Sequence, residues 1–358
     1  MRVLAALLFF LAARPALAQA FTLADLGLPP GYTNSSAKAI NARGQVTGEI
    51  SHGPRFSHAF LYSGGRIMDL GTLPGFTDSV GNAINDGGEV AGVATRPDPT
   101  SNPNSALALT VHAFTAKAGT LRDLRPQGKA LYLSSGVNAA GLVVGGVITL
   151  RDQDRAFVTR GDRVVVLDEM ITQAGAGWKL QEADGVNDAG DIVGSGTRGG
   201  GPRAFLLRGG EVTDLNRYLA APMGWVLERA TGINNRGDIV CIGKCGAASH
   251  AFLFSGGLMT DLGALEDYPN AVEAHLNNVG QVVGVAEAAS GASQCAFLYD
   301  RGRLSDLNRC LPAGAHWSLT EANGINDGGV IVGAGEHEGH GRAFLLTPKD
   351  VEGKANRK

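Results

Sequence analysis

Several side chains in this sequence have types and spacings that could do chemistry, and asparagine is the most regular of them. Asn is followed by Gly three residues later at Asn41, Asn85, Asn138, Asn187, Asn234, Asn277 and Asn326. A calcium loop needs several oxygen ligands that converge on one point, yet "NAAG" (138–141) and "NNVG" (277–280) contain no acid. An Asn side chain can instead bond to the backbone two residues on, and Gly takes the left-handed conformation that ends such a turn. We therefore interpret these sequences as hairpin turns rather than metal loops.

Histidine is the second candidate. It precedes the pair Ala-Phe at His58, His112 and His250. Arg or Cys fills the same position in the other four copies, and Arg is no metal ligand, so we interpret the position as a hydrogen-bonding one at a strand start. The segment "GEHEGHG" (335–341) contains His-x-x-His, but a solvated polar loop is favoured there. A recurring Asp before Leu is predicted to accept backbone N–H bonds. The sequence predicts no metal site, no cofactor and no catalytic residue.

Three tryptophans form the third candidate, since Trp178, Trp225 and Trp317 each lie nine residues before one of the asparagines. Glu182 and Glu321 occupy matching positions after two of them. A Trp with a nearby acid can stack on and hydrogen-bond a sugar ring. The alternative, which we favour, is that each Trp pins a long link onto the blade below it. These five residues are the candidate ligand-binding residues.

The four cysteines are even in number, as expected for a chain that folds in an oxidising compartment. Folding the hairpin about Arg301-Gly302 brings Cys295 near Cys310, and Cys241 lies four residues before Cys245. We favour disulfides 295–310 and 241–245 among three possible pairings. A four-Cys zinc site lacks the C-x-x-C spacing.

The elements that position these residues form seven repeats. Ala-Phe occurs once per repeat, and Asp-Leu follows nine residues after the Phe in five of them. Each repeat has four short strands and spans 43 to 53 residues, which predicts a seven-bladed β-propeller of four-stranded antiparallel blades. The last repeat stops after its third strand, and "FTLADLG" (21–27) supplies the missing fourth. The N-terminal strand is therefore expected to complete the last blade and close the ring.

These landmarks resemble the HAF family of probable extracellular repeats, through the "HAF" tripeptides at 58–60, 112–114 and 250–252. The resemblance extends over residues 21 to 346. It implies a secreted bacterial β-propeller, and no biochemical activity is attached to the family's motif.

The chain ends and the composition indicate where in the cell the protein is found. Residues 1–20 resemble a secretory signal peptide, with Arg2, a short apolar run and cleavage after Ala18 or Ala20. The propeller is assigned to 21–347 and a short charged tail to 348–358. We expect a monomer that is exported to the periplasm or outside the cell and has no membrane span. The net charge of -3 gives no reason to expect nucleic acid as a partner.

The repeats also predict two unlike faces. The hairpins between first and second strands, which contain the Asn-x-x-Gly sequences, define the hairpin face. The loops between second and third strands and the links between blades vary in length, and they define the variable face. We predict a binding or scaffold module whose ligand is a carbohydrate or another exported protein. The alternative is a propeller enzyme, a hydrolase or lyase, with its site at the central channel on the variable face. Three or more acids or histidines at the channel mouth would favour that enzyme.

Overall fold

The computed structural model describes residues 21–349 except 54–55, 99–108, 125–130, 149–153, 162, 173–176 and 221–223. The predicted signal peptide (1–20) and the tail from 350 onward lie outside the described residues. The strands are β1 (Phe21–Asp25), β2 (Asn34–Ile40), β3 (Val46–Ser51), β4 (Ser57–Ser63), β5 (Arg66–Gly71), β6 (Asp78–Ile84), β7 (Val90–Pro97), β8 (Leu109–Lys117), β9 (Thr120–Asp123), β10 (Leu131–Val137), β11 (Val143–Ile148), β12 (Arg155–Arg160), β13 (Arg163–Val166), β14 (Trp178–Val186), β15 (Ile192–Arg198), β16 (Gly201–Arg208), β17 (Glu211–Asp214), β18 (Val226–Ile233), β19 (Ile239–Cys245), β20 (Ala248–Ser255), β21 (Leu258–Asp261), β22 (Asn270–Leu276), β23 (Val282–Glu287), β24 (Gln294–Asp300), β25 (Arg303–Asp306), β26 (Trp317–Ile325), β27 (Ile331–His337) and β28 (His340–Pro348).

These strands form seven four-stranded antiparallel sheets, which confirms the predicted seven-bladed propeller. Blades 1 to 6 take the strands in chain order, from β2–β5 to β22–β25, and blade 7 has the order β26-β27-β28-β1. The first strands of successive blades contact one another all the way round, including β26 with β2. The first strands are therefore the innermost ones and surround the central channel.

The N-terminal strand closes the ring as predicted. β1 pairs with β28 over five residues, from Phe21 opposite Pro348 to Asp25 opposite Phe344. Phe21 is buried within the core cluster that joins blades 6 and 7, and Leu26 is buried in the cluster that joins blades 7 and 1. Both chain ends thus contribute strands to blade 7. Core clusters connect that blade to blades 6 and 1.

The recurring Ala-Phe pair builds the core between blades. Successive strand residues point to opposite faces of the sheet, so Phe and Ala of one blade face different neighbours. Each of the seven core clusters contains an Ala from one blade and the Phe of the next, such as Ala156 with Phe205 and Ala296 with Phe344. The predicted inter-blade role of the Phe is confirmed.

In six of the seven blades, a glycine seven residues after the Asn makes room for that Phe ring. A Cβ on Gly145 would collide with the carbonyl oxygen of Leu133 and lie 2.9 Å from the ring of Phe157. Blade 5 has Cys241 at this position, opposite Phe252. There the ring of Phe252 lies over Gly243 instead, where an added Cβ would be 2.7 Å from it. The ring has shifted along the strand, which leaves space for the Cys side chain.

The asparagines of the hairpin face do more than form turns. Within each hairpin the Asn Oδ1 accepts backbone N–H bonds, as Asn138 does from Leu142 at 3.0 Å. Each Asn Nδ2 also donates to the backbone carbonyl of the corresponding Asn in the next blade, at 2.9 to 3.3 Å, and Asn326 returns to Asn41. Seven side chains thus form a closed circle of hydrogen bonds around the channel.

Candidate functional site

The three tryptophans begin or immediately precede the inner strands at the variable face. Trp178 is 7% exposed and packs edge-on against Phe205 of its own blade, with the Arg198 guanidinium 5.8 Å above its ring. Each ring therefore covers the Phe of its blade, which agrees with the pinning role. Ligand contact by these residues stays a prediction.

The other two tryptophans are half-buried and are each covered by a histidine. Trp225 lies 4.5 Å from His250, and Trp317 stacks on His337 at 4.7 Å with an interplanar angle of 15°. The long links before these strands are also held by side chains other than Trp. Asn216 and Asn308 bond to the backbone of the inner strand, at Leu227 and Leu319 respectively.

The predicted acids do not lie beside the tryptophans. Glu182 and Glu321 are four residues further along the same extended inner strands, a separation of about 13 Å. Glu321 instead accepts a hydrogen bond from Asn323 at 2.9 Å. It also forms an ion pair with Lys38 of blade 1 at 3.4 Å. The structure therefore separates each candidate acid from its candidate Trp.

A network of ion pairs connects the inner strands of blades 4, 5 and 6, across the channel from Lys38 and Glu321. Arg229 of blade 5 donates to Asp184 of blade 4 at 2.6 Å and to Glu273 of blade 6 at 3.2 Å. The Asp184 side chain is 2% exposed, and its Oδ2 has no hydrogen-bond partner. Burial raises the pKa of Asp184 to about 7, with the carboxylates of Glu182 and Glu273 adding to the rise and Arg229 opposing it.

A groove on the variable face adjoins the channel between blades 7, 1 and 2. Its volume is about 680 Å³, which is within the usual range for ligand sites. The side chains that carry its chemistry are Lys38, Glu49, Phe56, Asp78, Glu321 and Glu336. Phe56 is 59% exposed, so an aromatic ring lies open to solvent beside a set of carboxylates. We call this site the blade 7–blade 1 groove.

Glu49 has an unusual position in this groove. Among the described residues, none makes a hydrogen bond or ion pair with its half-buried carboxylate. Burial raises the pKa of Glu49, Lys38 opposes the rise, and the carboxylates of Glu321 and Asp78 add to it. The hydroxyl of Ser36, directly opposite Glu49 on the neighbouring strand, is buried and has no partner either. Two polar groups with unused bonding capacity thus line one groove.

The predicted disulfides 295–310 and 241–245 are wrong, since none of the four cysteines forms a disulfide. Cys241 and Cys245 both lie in the extended strand β19, about 13 Å apart, whereas a disulfide needs Cα atoms about 6 Å apart. The thiol of Cys295 contacts Asp306 Oδ1 at 3.1 Å, and that of Cys310 contacts the Asp306 carbonyl at 3.6 Å. Cys295, which precedes Ala-Phe, therefore contacts the recurring Asp as the histidines do in other blades.

The histidines before Ala-Phe are indeed hydrogen-bonding groups. His58, His112 and His250 place Nδ1 within 3.1 Å of the recurring Asp of the adjacent strand. That Asp also accepts a backbone N–H bond two residues on, as Asp261 does from Gly263 at 2.8 Å. In the described part of the chain no group of three His, Cys, Asp or Glu is arranged to hold a metal ion. The described residues also contain no helix long and apolar enough to span a membrane.

Sequence reasoning missed Lys38, Glu49, Asp184 and Glu273. A signal was available, because the seven repeats align residue by residue. The position of Glu49, one residue after the Gly, holds an uncharged residue in every other repeat, namely Val93, Gly146, Ser195, Ile242, Val285 and Ala334. Glu49 is therefore a departure from the repeat that packing does not require.

Comparisons with known proteins support the fold. No protein-family model matches the sequence, and no curated protein matches it. Among solved structures, YCF48 bound to D1 peptide matches with a TM-score of 0.55 and 11% identity, over 94% of this chain and 99% of that one. The β-propeller domain of the Trilobed protease from Pyrococcus furiosus matches with a TM-score of 0.56 and 11% identity, over 90% and 94%. Oligogalacturonate lyase from Vibrio parahaemolyticus matches with a TM-score of 0.54 and 8% identity, over 92% and 98%. This chain is similar to each of them in fold.

Proposed function

We propose that this chain is an exported, non-catalytic binding module that holds its ligand in the blade 7–blade 1 groove. The observation that carries the proposal is the pair of unpartnered polar groups, the Glu49 carboxylate and the Ser36 hydroxyl, which line that groove. A buried polar group without a partner is unfavourable. A ligand with hydrogen-bond donors would supply the partner that the half-buried Glu49 carboxylate lacks.

Export is part of this proposal and rests on the signal-peptide pattern of residues 1–20 and on the HAF resemblance. A carbohydrate and an exported protein are the two ligand classes that the sequence suggests. A protein partner is supported by YCF48, a propeller of similar fold that was solved with a D1 peptide bound. At 11% identity the likeness shows the fold alone, and the protein partner of this chain is part of the proposal.

An enzyme acting at the central channel is the second candidate function. It is favoured by the acids and the histidine on the inner strands, namely Glu182, Glu273, His275 and Glu321. Against it, Glu273 and Glu321 are already ion-paired with Arg229 and Lys38, whereas a general acid or base must be free to exchange its proton. The binding module is therefore the better-supported function.

The test uses a variant that fills the groove without disturbing the blade. Gly341 lines the groove, has no positive φ, and an added Cβ would lie 3.6 Å from its nearest neighbour, Asn34 Oδ1. Blade 6 has Gln294 at the equivalent position, two residues before Ala-Phe, so Gly341→Gln introduces a side chain that the fold already accepts. Peptide and glycan arrays would identify ligands of the mature chain, and calorimetry would compare them on both proteins.

We expect a ligand that binds the wild type and loses affinity for Gly341→Gln while remaining chemically unchanged. A ligand that binds both proteins equally would contradict the groove as the site. Turnover of a glycan or peptide by the wild type, abolished in Glu321→Gln, would establish the enzyme instead.

A further inference from the structure

We propose that the ligand of the blade 7–blade 1 groove is a polypeptide segment whose Lys or Arg side chain is bound by Glu49, Asp78 and Ser36. This inference rests on the proposed function and specifies its ligand. Its first support is the charge of the lining. Among the described lining residues, four carboxylates, those of Glu49, Asp78, Glu321 and Glu336, face one ammonium group, that of Lys38.

Lys38 does not balance that charge. Its Nζ lies 3.4 Å from Glu321 Oε2, and the same oxygen also accepts a hydrogen bond from Asn323. Asp78 accepts bonds from the Ser57 N–H and the Thr77 hydroxyl, both of which are neutral donors. Within the described part of the groove, negative charge is therefore in excess, and the Glu49 carboxylate has no hydrogen-bond or ion-pair partner there.

The geometry of the unused groups suits a donor of several hydrogen bonds. Ser36 and Glu49 are directly opposite each other on β2 and β3, so their side chains leave the same face of the sheet. A carboxylate is an acceptor only, and a hydroxyl has two acceptor lone pairs. An ammonium or guanidinium group has three or five N–H donors and also carries the charge that the lining lacks. The hydroxyls of a neutral sugar could satisfy the bonds but not the charge.

The ring of Phe56 favours a basic side chain on a polypeptide over a small free amine. It is 59% exposed, and it lines the same groove as the carboxylates. Cations bind over aromatic faces, and the methylene groups of Lys or Arg bury apolar area against them. A groove of about 680 Å³ has room for the flanking peptide as well.

The repeat pattern gives an independent argument. Six blades carry an uncharged residue where blade 1 carries Glu49, so the fold does not need the carboxylate there. Partial burial raises the pKa of Glu49, so its carboxylate disfavours the folded state at neutral pH, where it is ionised in both the folded and the unfolded chain. A residue that disfavours folding and breaks the repeat is what a binding site requires.

The experiment uses a positional library of acetylated, amidated octapeptides. One position of each peptide is fixed and carries either a charged residue, Lys or Arg, or its neutral counterpart, norleucine or citrulline. Binding is measured by fluorescence anisotropy on the wild type, Glu49→Gln and the control Glu211→Gln, which removes an exposed carboxylate in β17 away from the groove. Spermidine and a neutral oligosaccharide are tested alongside.

We expect Lys or Arg peptides to bind the wild type and Glu211→Gln, and to bind Glu49→Gln about tenfold more weakly or worse. Thermal unfolding should show Glu49→Gln to be more stable than the wild type at pH 7, so that lost binding is not lost folding. Equal binding of the norleucine and citrulline peptides, or unchanged binding by Glu49→Gln, would overturn the inference. Binding of spermidine but no peptide would also overturn it.

The two proposals can fail separately. If only the neutral oligosaccharide binds, and Gly341→Gln abolishes that binding, the groove is a ligand site but the basic peptide is wrong. If peptides bind all variants equally, including Gly341→Gln, both the basic-peptide inference and the groove are contradicted.

Discussion

At the scale of single residues, Arg229 is the cation on which the inner strands of blades 4, 5 and 6 depend. It contacts Asp184 on one side and Glu273 on the other. Asp184 is 2% exposed, whereas the Arg229 side chain is 36% exposed. A buried carboxylate loses its hydration, and either a proton neutralises it or a cation compensates for the loss. Arg229 therefore favours the ionised form of Asp184.

Arg229→Ala is expected to lower the free energy of unfolding at pH 7 by about 3 kcal/mol, the lower end for breaking a buried pair. The pH dependence follows from the pKa of Asp184, which burial raises from 3.8 to about 7. A raised carboxyl pKa means that the folded state binds the proton more tightly, so this group's contribution to stability falls as pH rises across that window. Without Arg229 the pKa rises further, and the deficit should shrink as the pH is lowered to about 5. Urea denaturation at several pH values measures this.

A surface arginine provides the control. Arg309 pairs with Asp267 at 3.2 Å, but their side chains are 70% and 67% exposed. Arg309→Ala should change stability by less than about 0.5 kcal/mol at any of these pH values. Equal losses in the two variants would mean that the burial of Asp184 has no energetic consequence.

At the scale of the element, the hairpin between the first two strands of each blade serves two purposes through one side chain. Asn138 accepts N–H bonds from Ala140 and Leu142 within its own turn. Its Nδ2 donates to the carbonyl of Asn187 in the next blade at 3.0 Å. The oxygen of the amide shapes the hairpin, and the nitrogen fastens the hairpin to its neighbour.

Asn138→Asp separates these two roles. Aspartate keeps the oxygen that accepts the turn N–H bonds but lacks the donor, and it places a second oxygen against the Asn187 carbonyl. We expect a loss of about 2 kcal/mol in the free energy of unfolding at pH 7, from one unmade bond and one buried unpaired oxygen. Lower pH should reduce the loss, because protonated Asp can donate to that carbonyl. A loss below about 0.5 kcal/mol would mean that Asn138 acts only in its turn.

The sequence predicted the turn at Asn138 but not the hydrogen bond from its side chain to the next blade, for a physical reason. The turn involves residues within four positions of Asn138, whereas its other partner is Asn187, 49 residues away. That pairing depends on how closely the blades approach one another, which no local pattern encodes. The same limit applies to the groove, since Lys38 meets Glu321 only because the ring closes. The period, the Phe core and the closing strand were predictable because each recurs or completes a pattern along the chain.

At the scale of the whole molecule, closure depends on β1. Blade 7 has its first three strands from the C-terminal end of the chain and its fourth from the N-terminal end. Without β1, the edge of β28 would be exposed, and the core around Phe344 would lose the buried ring of Phe21. The blade 7–blade 1 groove lies beside this junction, so ligand binding and closure share the same pair of blades.

Deletion of residues 21–27 should lower the midpoint of thermal unfolding by about 10 °C or more, because it removes a buried Phe, a buried Leu and a strand pairing. Calorimetry of the mature chain and of the deletion measures this. The lost strand should also open the groove by freeing blade 7, so ligand affinity should fall together with stability.

A rearranged chain tests whether the strand or its position in the sequence matters. β1 runs antiparallel to β28 with Phe21 opposite Pro348, which is the geometry of a hairpin. Residues 21–27 attached after residue 348 through Gly-Gly would therefore re-form the pair, as the two-residue Gly-Gly turns at 64–65 and 256–257 do in blades 1 and 5. We expect this chain to recover the midpoint of the intact protein. If the deletion alone has the midpoint of the intact protein, or if the chain with the appended strand does not regain it, β1 does not close the ring through its pairing with β28.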